Sequence, residues 1–161
     1  MRVTMWRDKL KSLTLIEVLV AVSIAVMLLG VSIPMFSKNA KSQNLANEAE
    51  TVSAFYSRAR NLAFHPERKE IDGYQVGGVD CNGNKCDQLA IEAISENVDP
   101  VEIDNLLMPN VTIEIPSDII FDVGNGKTNL ATTQTVKVYF KGNASKYILI
   151  KINSAGNIDV I

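Results

Sequence analysis

The sequence predicts an α+β protein: a long N-terminal helix packed on a C-terminal antiparallel β-sheet head. Three observations predict it. Residues 18–36, VLVAVSIAVMLLGVSIPMF, carry no charge and come close to the ~20 residues a membrane-spanning helix needs. Residues 40–63 repeat apolar positions every three or four residues, the spacing of one helix face. After Pro66 the period falls to two, with turn residues between the runs.

The first element is a short basic leader. Arg2, Arg7, Lys9 and Lys11 stand there against Asp8 alone, while the remaining chain is acidic and the whole has a formal net charge of -2. A basic start before an apolar run is an address or anchor and is set apart from the fold. It keeps the N-terminus cytoplasmic and sends the rest outward, so the expected topology is a single pass through the inner membrane. The apolar run is longer than a cleavable secretory core, and no Ala-x-Ala follows it.

Glu17 interrupts this run. A carboxylate inside a span costs roughly 2.5–3.5 kcal/mol and is normally paired and functional. The nearest upstream cations are Lys11 and Lys9, in the leader. A cut just before Leu13 creates an amine four residues away, a natural partner in the same chain or a neighbouring one. The plainer alternative places Glu17 at the membrane interface.

The stretch Lys11-Ser12-Leu13-Thr14-Leu15-Ile16-Glu17-Val18-Leu19-Val20 resembles the class III signal of type IV prepilins and pseudopilins. Pro34 falls where many members of that family carry a helix proline. Ser12 stands where Gly is usual, and Leu13 where Phe is frequent. The resemblance implies cleavage between Ser12 and Leu13 by a prepilin peptidase/N-methyltransferase, methylation of the Leu13 amine, and an assembly role for Glu17. It implies other pilin or pseudopilin subunits as partners and no cofactor.

The helix is expected to run over residues 13–64, about 75–80 Å at 1.5 Å per residue. Leu45, Ala49, Val52, Phe55, Tyr56, Ala59, Leu62 and Ala63 form its stripe, and Pro66 ends it. Gly30 and Pro34 are helix-breaking positions in its first half, weakening it by about 1 and about 3 kcal/mol. Strands are expected at 73–79, 88–95, 111–115, 118–123, 135–141, 146–152 and 157–161, forming an outer sheet on the helix end. The expected divisions are 1–12 (leader), 13–36 (membrane and assembly half of the helix), 37–66 (amphipathic half) and 67–161 (β head).

Residues 135–161, ending in Ser154-Ala155-Gly156-Asn157-Ile158-Asp159-Val160, resemble the C-terminal hairpins of GspH/FimT-type minor pseudopilins and minor pilins. Some DNA-binding members of that group carry basic residues after the corresponding glycine. Asn157 and Asp159 stand here, and phosphate binding needs positive charge, so DNA is disfavoured as a partner.

Cys81 and Cys86 flank Asn82-Gly83-Asn84-Lys85. An Asn-Gly turn brings their sulfurs together, and outside the cytoplasm a disulfide persists. Asp80-x-Asn82-x-Asn84 starts like a calcium loop, but Lys85 replaces the sixth-place Gly and Ile91 the twelfth-place Glu, which favours a solvated hairpin tip. With one His, no Cys/His metal cluster is expected, and His65 reads as a helix-end cap. No nucleophile elbow or paired-carboxylate motif points to an enzyme.

Two functions of different class follow. One is a structural or assembly subunit of a pilus, type II secretion pseudopilus or competence filament. The other is a signal-anchored domain that binds a ligand and never polymerises. Thr14–Glu17 favours the first, because a plain anchor needs neither the motif nor the carboxylate.

Overall fold

The computed structural model describes residues 14–66, 69–96 and 98–161, with the side chains of 29–38 outside the described residues. The chain divides into two compact units, Met1–Lys41 and Ser42–Ile161. Among the described residues one helix, α1 (Leu15–Phe64), is followed by nine strands: β1 (Gly73–Val79), β2 (Lys85–Cys86), β3 (Gln88–Ser95), β4 (Val98–Leu107), β5 (Val111–Glu114), β6 (Ile119–Asp122), β7 (Gln134–Phe140), β8 (Asn143–Ile152) and β9 (Ile158–Val160).

The second unit holds the core. Leu45, Ala49, Val52, Phe55, Tyr56, Ala59 and Ala63 of α1 are buried. Their three- and four-residue spacing puts them on one face. They pack in one cluster with alternate residues of the strands: Tyr74 and Val76 of β1, Leu89 and Ile91 of β3, Ile119 and Phe121 of β6, Val136 and Val138 of β7, Ile150 and Ile152 of β8. Burying each large aliphatic side chain contributes about 1.5–3 kcal/mol. The expected stripe is therefore the face that packs, with Leu62 half-buried at its end.

Two antiparallel sheets cover the helix rather than the single one expected. Their orders are β4-β3-β1-β6 and β2-β5-β7-β8-β9. The chain changes sheet after β1, where Asp80 takes a positive φ of 51° and the Cys81–Cys86 bridge follows. Asp tolerates that left-handed backbone better than most residues.

Two strands escaped the sequence reading. Asp99-Pro100 looks like a break, yet β4 is an edge strand, where a missing N–H costs no ladder bond. Register shifts opposite Ile91/Glu92 and Ala93/Ser95 accommodate the irregular sequence. β2 is two residues long and pairs Lys85 with Glu114 and Cys86 with Ile113.

The end of α1 is closed by the loop after β6. Gly124 N donates to the Ala63 carbonyl at 2.8 Å, and His65 N to Asn61 O at 3.1 Å. The cap is thus a backbone N–H, while the His65 side chain is exposed. Gly126, at φ +59°, leaves room for the Phe64 ring, which a Cβ there would overlap.

Candidate functional site

The start of α1 is a capping box. Glu17 N donates to Thr14 Oγ1 at 3.4 Å, and Thr14 N donates to Glu17 Oε2 at 3.1 Å. The Thr14 hydroxyl also donates to Glu17 Oε2, at 3.2 Å. Thr-x-x-Glu satisfies helix-end donors reciprocally, and a carboxylate there suits the positive end of the helix dipole. Glu17 therefore has a local partner in Thr14, a neutral group rather than a cation, and the T-x-x-E spacing is its signature in the sequence. Ser12 and Leu13 lie outside the described residues.

The helix that follows is apolar on every side. Leu15, Ile16, Val18, Leu19, Val20, Val22, Ile24, Val26, Met27 and Leu28 are 46–80% exposed in the isolated chain. Ser23, the polar residue among them, turns its hydroxyl onto the Leu19 carbonyl at 2.8 Å. That back-bond hides a donor that hydrocarbon could not satisfy. A helix apolar all round belongs in a membrane or among other helices. Among the described residues no helix is long and apolar enough to cross a membrane; the expected span extends into residues 29–38.

α1 runs through Gly30 and Pro34 as one helix, in keeping with the continuous helix expected there. Proline removes one ladder bond but leaves the turns on either side able to continue.

Cys81 and Cys86 are joined by a disulfide, with their Cα atoms 4.4 Å apart. Asn82 N donates to Lys85 O at 2.9 Å and Lys85 N to Asn82 O at 3.3 Å, so Gly83-Asn84 forms the corner of the turn rather than Asn82-Gly83. Gly83 supplies the positive φ of 65° there. Gly78 lies under the bridge, where a Cβ would overlap both sulfurs. Asp80, Asn82 and Asn84 are exposed around this tip.

Beside the tip is an open polar groove of about 500 Å³, lined among others by Asp80, Lys85, Thr112, Tyr139 and Asn143. Lys141 Nζ donates to Asp87 Oδ2 across it at 2.8 Å. That hydrogen bond, then the ammonium charge, holds the Asp87 carboxyl below its ordinary value. Both partners are well exposed, so the pair contributes little to stability. Among the described residues no group of His, Cys, Asp and Glu is placed to hold a metal ion.

Inside the second unit, Tyr56 Oη, Arg60 Nε and Gln134 Oε1 are buried without a hydrogen-bond partner. Burial, and then the charge of Asp118, push the Tyr56 phenol upward.

No known family's sequence profile matches the chain, and no curated protein matches it. Solved structures do. The type IV minor pilin FimU of Pseudomonas aeruginosa superimposes in two crystal forms. In one it has a TM-score of 0.56 at 18% identity, covering 73% of this chain and 92% of that chain. In the other it has a TM-score of 0.58 at 17% identity, covering 75% and 90%. At this identity the likeness establishes the fold: a helix packed on antiparallel sheets, the type IV pilin-like fold.

Proposed function

We propose that this chain is an assembly subunit of a pilus, a type II secretion pseudopilus or a competence filament, made as a precursor and polymerised through α1. The observation that carries the reading is Thr14-Leu15-Ile16-Glu17 opening an all-round apolar helix at the head of a pilin-like fold. A prepilin peptidase/N-methyltransferase cuts between Ser12 and Leu13 and methylates the new amine. Residues 13–36 lie in the inner membrane, with the leader cytoplasmic and residues 67–161 outside, until the subunit joins other pilin or pseudopilin subunits. Residues 37–66 carry the apolar stripe into the head.

The solved minor pilins and the 135–161 likeness support a minor subunit of GspH/FimT type. The C-terminal turn does not favour DNA. Asn157 N is bound to Asn153 Oδ1 at 3.0 Å, and Asp159 pairs with Lys151 across β8 and β9. No cofactor has a role in this reading.

Mass spectrometry of the mature protein tests the proposal. The expected N-terminus is Leu13, carrying one added methyl group. A terminus at Met1 on assembled protein rules out processing. Correctly processed protein absent from sheared filaments would favour the anchored, non-polymerising alternative.

A further inference from the structure

The helix-facing side of the β3–β4 hairpin runs on past the end of α1. Leu89 and Ile91 of β3 are buried in the core, and Ala93 follows on the same face. Val101 lies opposite Ala93 and Val98 opposite Ser95, so both valines share that face. Arg58 of α1 reaches Asp104 of β4 at 2.6 Å, but the helix ends at Phe64. Asp72 N donates to the Ile94 carbonyl at 2.9 Å, which brings the segment leaving the helix back to this end of the hairpin.

The result is a cleft of about 100 Å³ with apolar walls from Ile71, Ala93, Val98 and Val101. A register shift between Ala93 and Ser95 loosens the ladder beside it. Two carboxylates, Glu70 and Asp99, also line the cleft and are exposed to solvent. Among the described residues neither has an ion-pair partner. Glu96 and Glu102 are exposed on the same hairpin, so the surroundings are acidic.

We infer that this cleft takes a lysine side chain from a subunit of a different kind. Val98 and Val101 are 58% and 50% exposed, apolar surface left open where the helix stops. A lysine lays its aliphatic stem on such surface and keeps its ammonium in water, where Glu70 and Asp99 meet it. The room suits a slim stem: about 100 Å³ is less than the ~150 Å³ cavity that admits a benzene ring. A purely apolar side chain would leave both carboxylates without a counter-charge, and an acidic one would be repelled. The same patch on a second copy is equally acidic, so two copies do not join here face to face. An unlike partner also lets the contact be made once, as a minor subunit requires. Exposed ion pairs add little affinity, so the contact acts between chains that assembly already holds together. In that respect it rests on the assembly reading above.

Carbodiimide coupling tests it, because the reagent joins a carboxylate to an amine where the two touch. Applied to the full chain in its native membrane and to sheared filaments, it should link Glu70 or Asp99 to a lysine of another pilin or pseudopilin, as peptide mapping would read. Glu70→Gln/Asp99→Asn should lose that link, while Asp87 still couples to Lys141 within the chain and shows that the variant is folded. Coupling of the cleft to Lys69 of the same chain, to a second copy or to a protein outside the filament overturns the inference. So does Asp87–Lys141 coupling with none at the cleft. The second arm is n-butylammonium chloride, a lysine side chain without its backbone, added to the detergent-solubilised full chain and followed by the Val98 and Val101 methyl signals. It should bind about fivefold tighter than 1-butanol, and the double variant should erase that margin. Equal binding of the two probes, or none, overturns the inference and leaves the assembly reading untouched. Preferential n-butylammonium binding by a chain absent from filaments sinks the assembly reading and leaves the cleft's ligand class standing.

Discussion

Tyr56→Phe should stabilise the head. Tyr56 is fully buried on the packed face of α1, and its hydroxyl has no hydrogen-bond partner. An unpaired buried polar group costs about 1–3 kcal/mol, which the ring without its hydroxyl does not incur. The small void left behind takes back part of that gain, so the expected net is about +1 kcal/mol. For a head of this size that raises Tm by about 4 °C. Urea unfolding of residues 37–161 measures it, as a higher midpoint with an unchanged slope. Tyr56→Ala should instead cost about 3–5 kcal/mol, because the ring itself fills the core. A loss of 1 kcal/mol or more in Tyr56→Phe would refute the reasoning and mean that the hydroxyl is paired in solution.

Glu17→Ala should insert into the membrane as well as the parent or better, yet be depleted from filaments, as fractionation beside filament purification would show. Thr14→Ala, which removes only the cap, should loosen the helix start by about 1 kcal/mol and keep Glu17 available to a neighbour; incorporation as poor as that of Glu17→Ala would make the cap, rather than the charge, essential. Cys81→Ser/Cys86→Ser should still fold, losing no more than the ~3 kcal/mol that closing a loop of about 15 residues contributes, and Gly78→Ala should harm the disulfide-bonded protein more than this reduced variant. Asp87 has its pKa lowered by Lys141, so the pair's small contribution is present above the ordinary carboxyl value of 3.8 and is lost as pH falls through the lower folded value; in Lys141→Met an NMR titration of Asp87 should move up toward 3.8. Residues 37–161 should be monomeric and bind DNA poorly even at low salt, where a fluorescence titration finding salt-sensitive micromolar binding would move DNA uptake to the front.

Much of the head was legible because its physics is local. The stripe from Leu45 to Ala63 is a period of 3.6 written in side chains, and it is the buried face. β1 and β3 occupy 73–79 and 88–95, as their alternation predicts. β7 and β8 begin earlier than expected, at Gln134, which pairs with Ile152, and at Asn143, which pairs with Phe140 before the register shifts to Tyr139 opposite Tyr147. β4 was illegible for the converse reason. Three carboxylates and a proline erase the alternation that an interior strand would show, and an edge strand needs only one paired side. The division into two sheets depends on the crossings between β1 and β2, β2 and β3, β4 and β5, β5 and β6, and β6 and β7, and single-residue periodicity does not record those changes of direction.

The N-terminus shows how one residue can satisfy two environments. A carboxylate at the start of an apolar helix needs donors, and the chain supplies them from the Thr14 amide and hydroxyl. These are neutral groups, so they relieve the hydrogen-bonding demand and leave the charge uncompensated. After the proposed cut, an amine at Leu13 can supply the missing positive charge without dismantling the helix start, since Thr14 and Glu17 sit on the same first turn. The cap therefore does not compete with an assembly role. It positions the Glu17 carboxylate at the end of α1, where among the described residues the hydrogen bonds go to Oε2. Under the proposed assembly reading, a partner amine would meet this carboxylate at the start of α1.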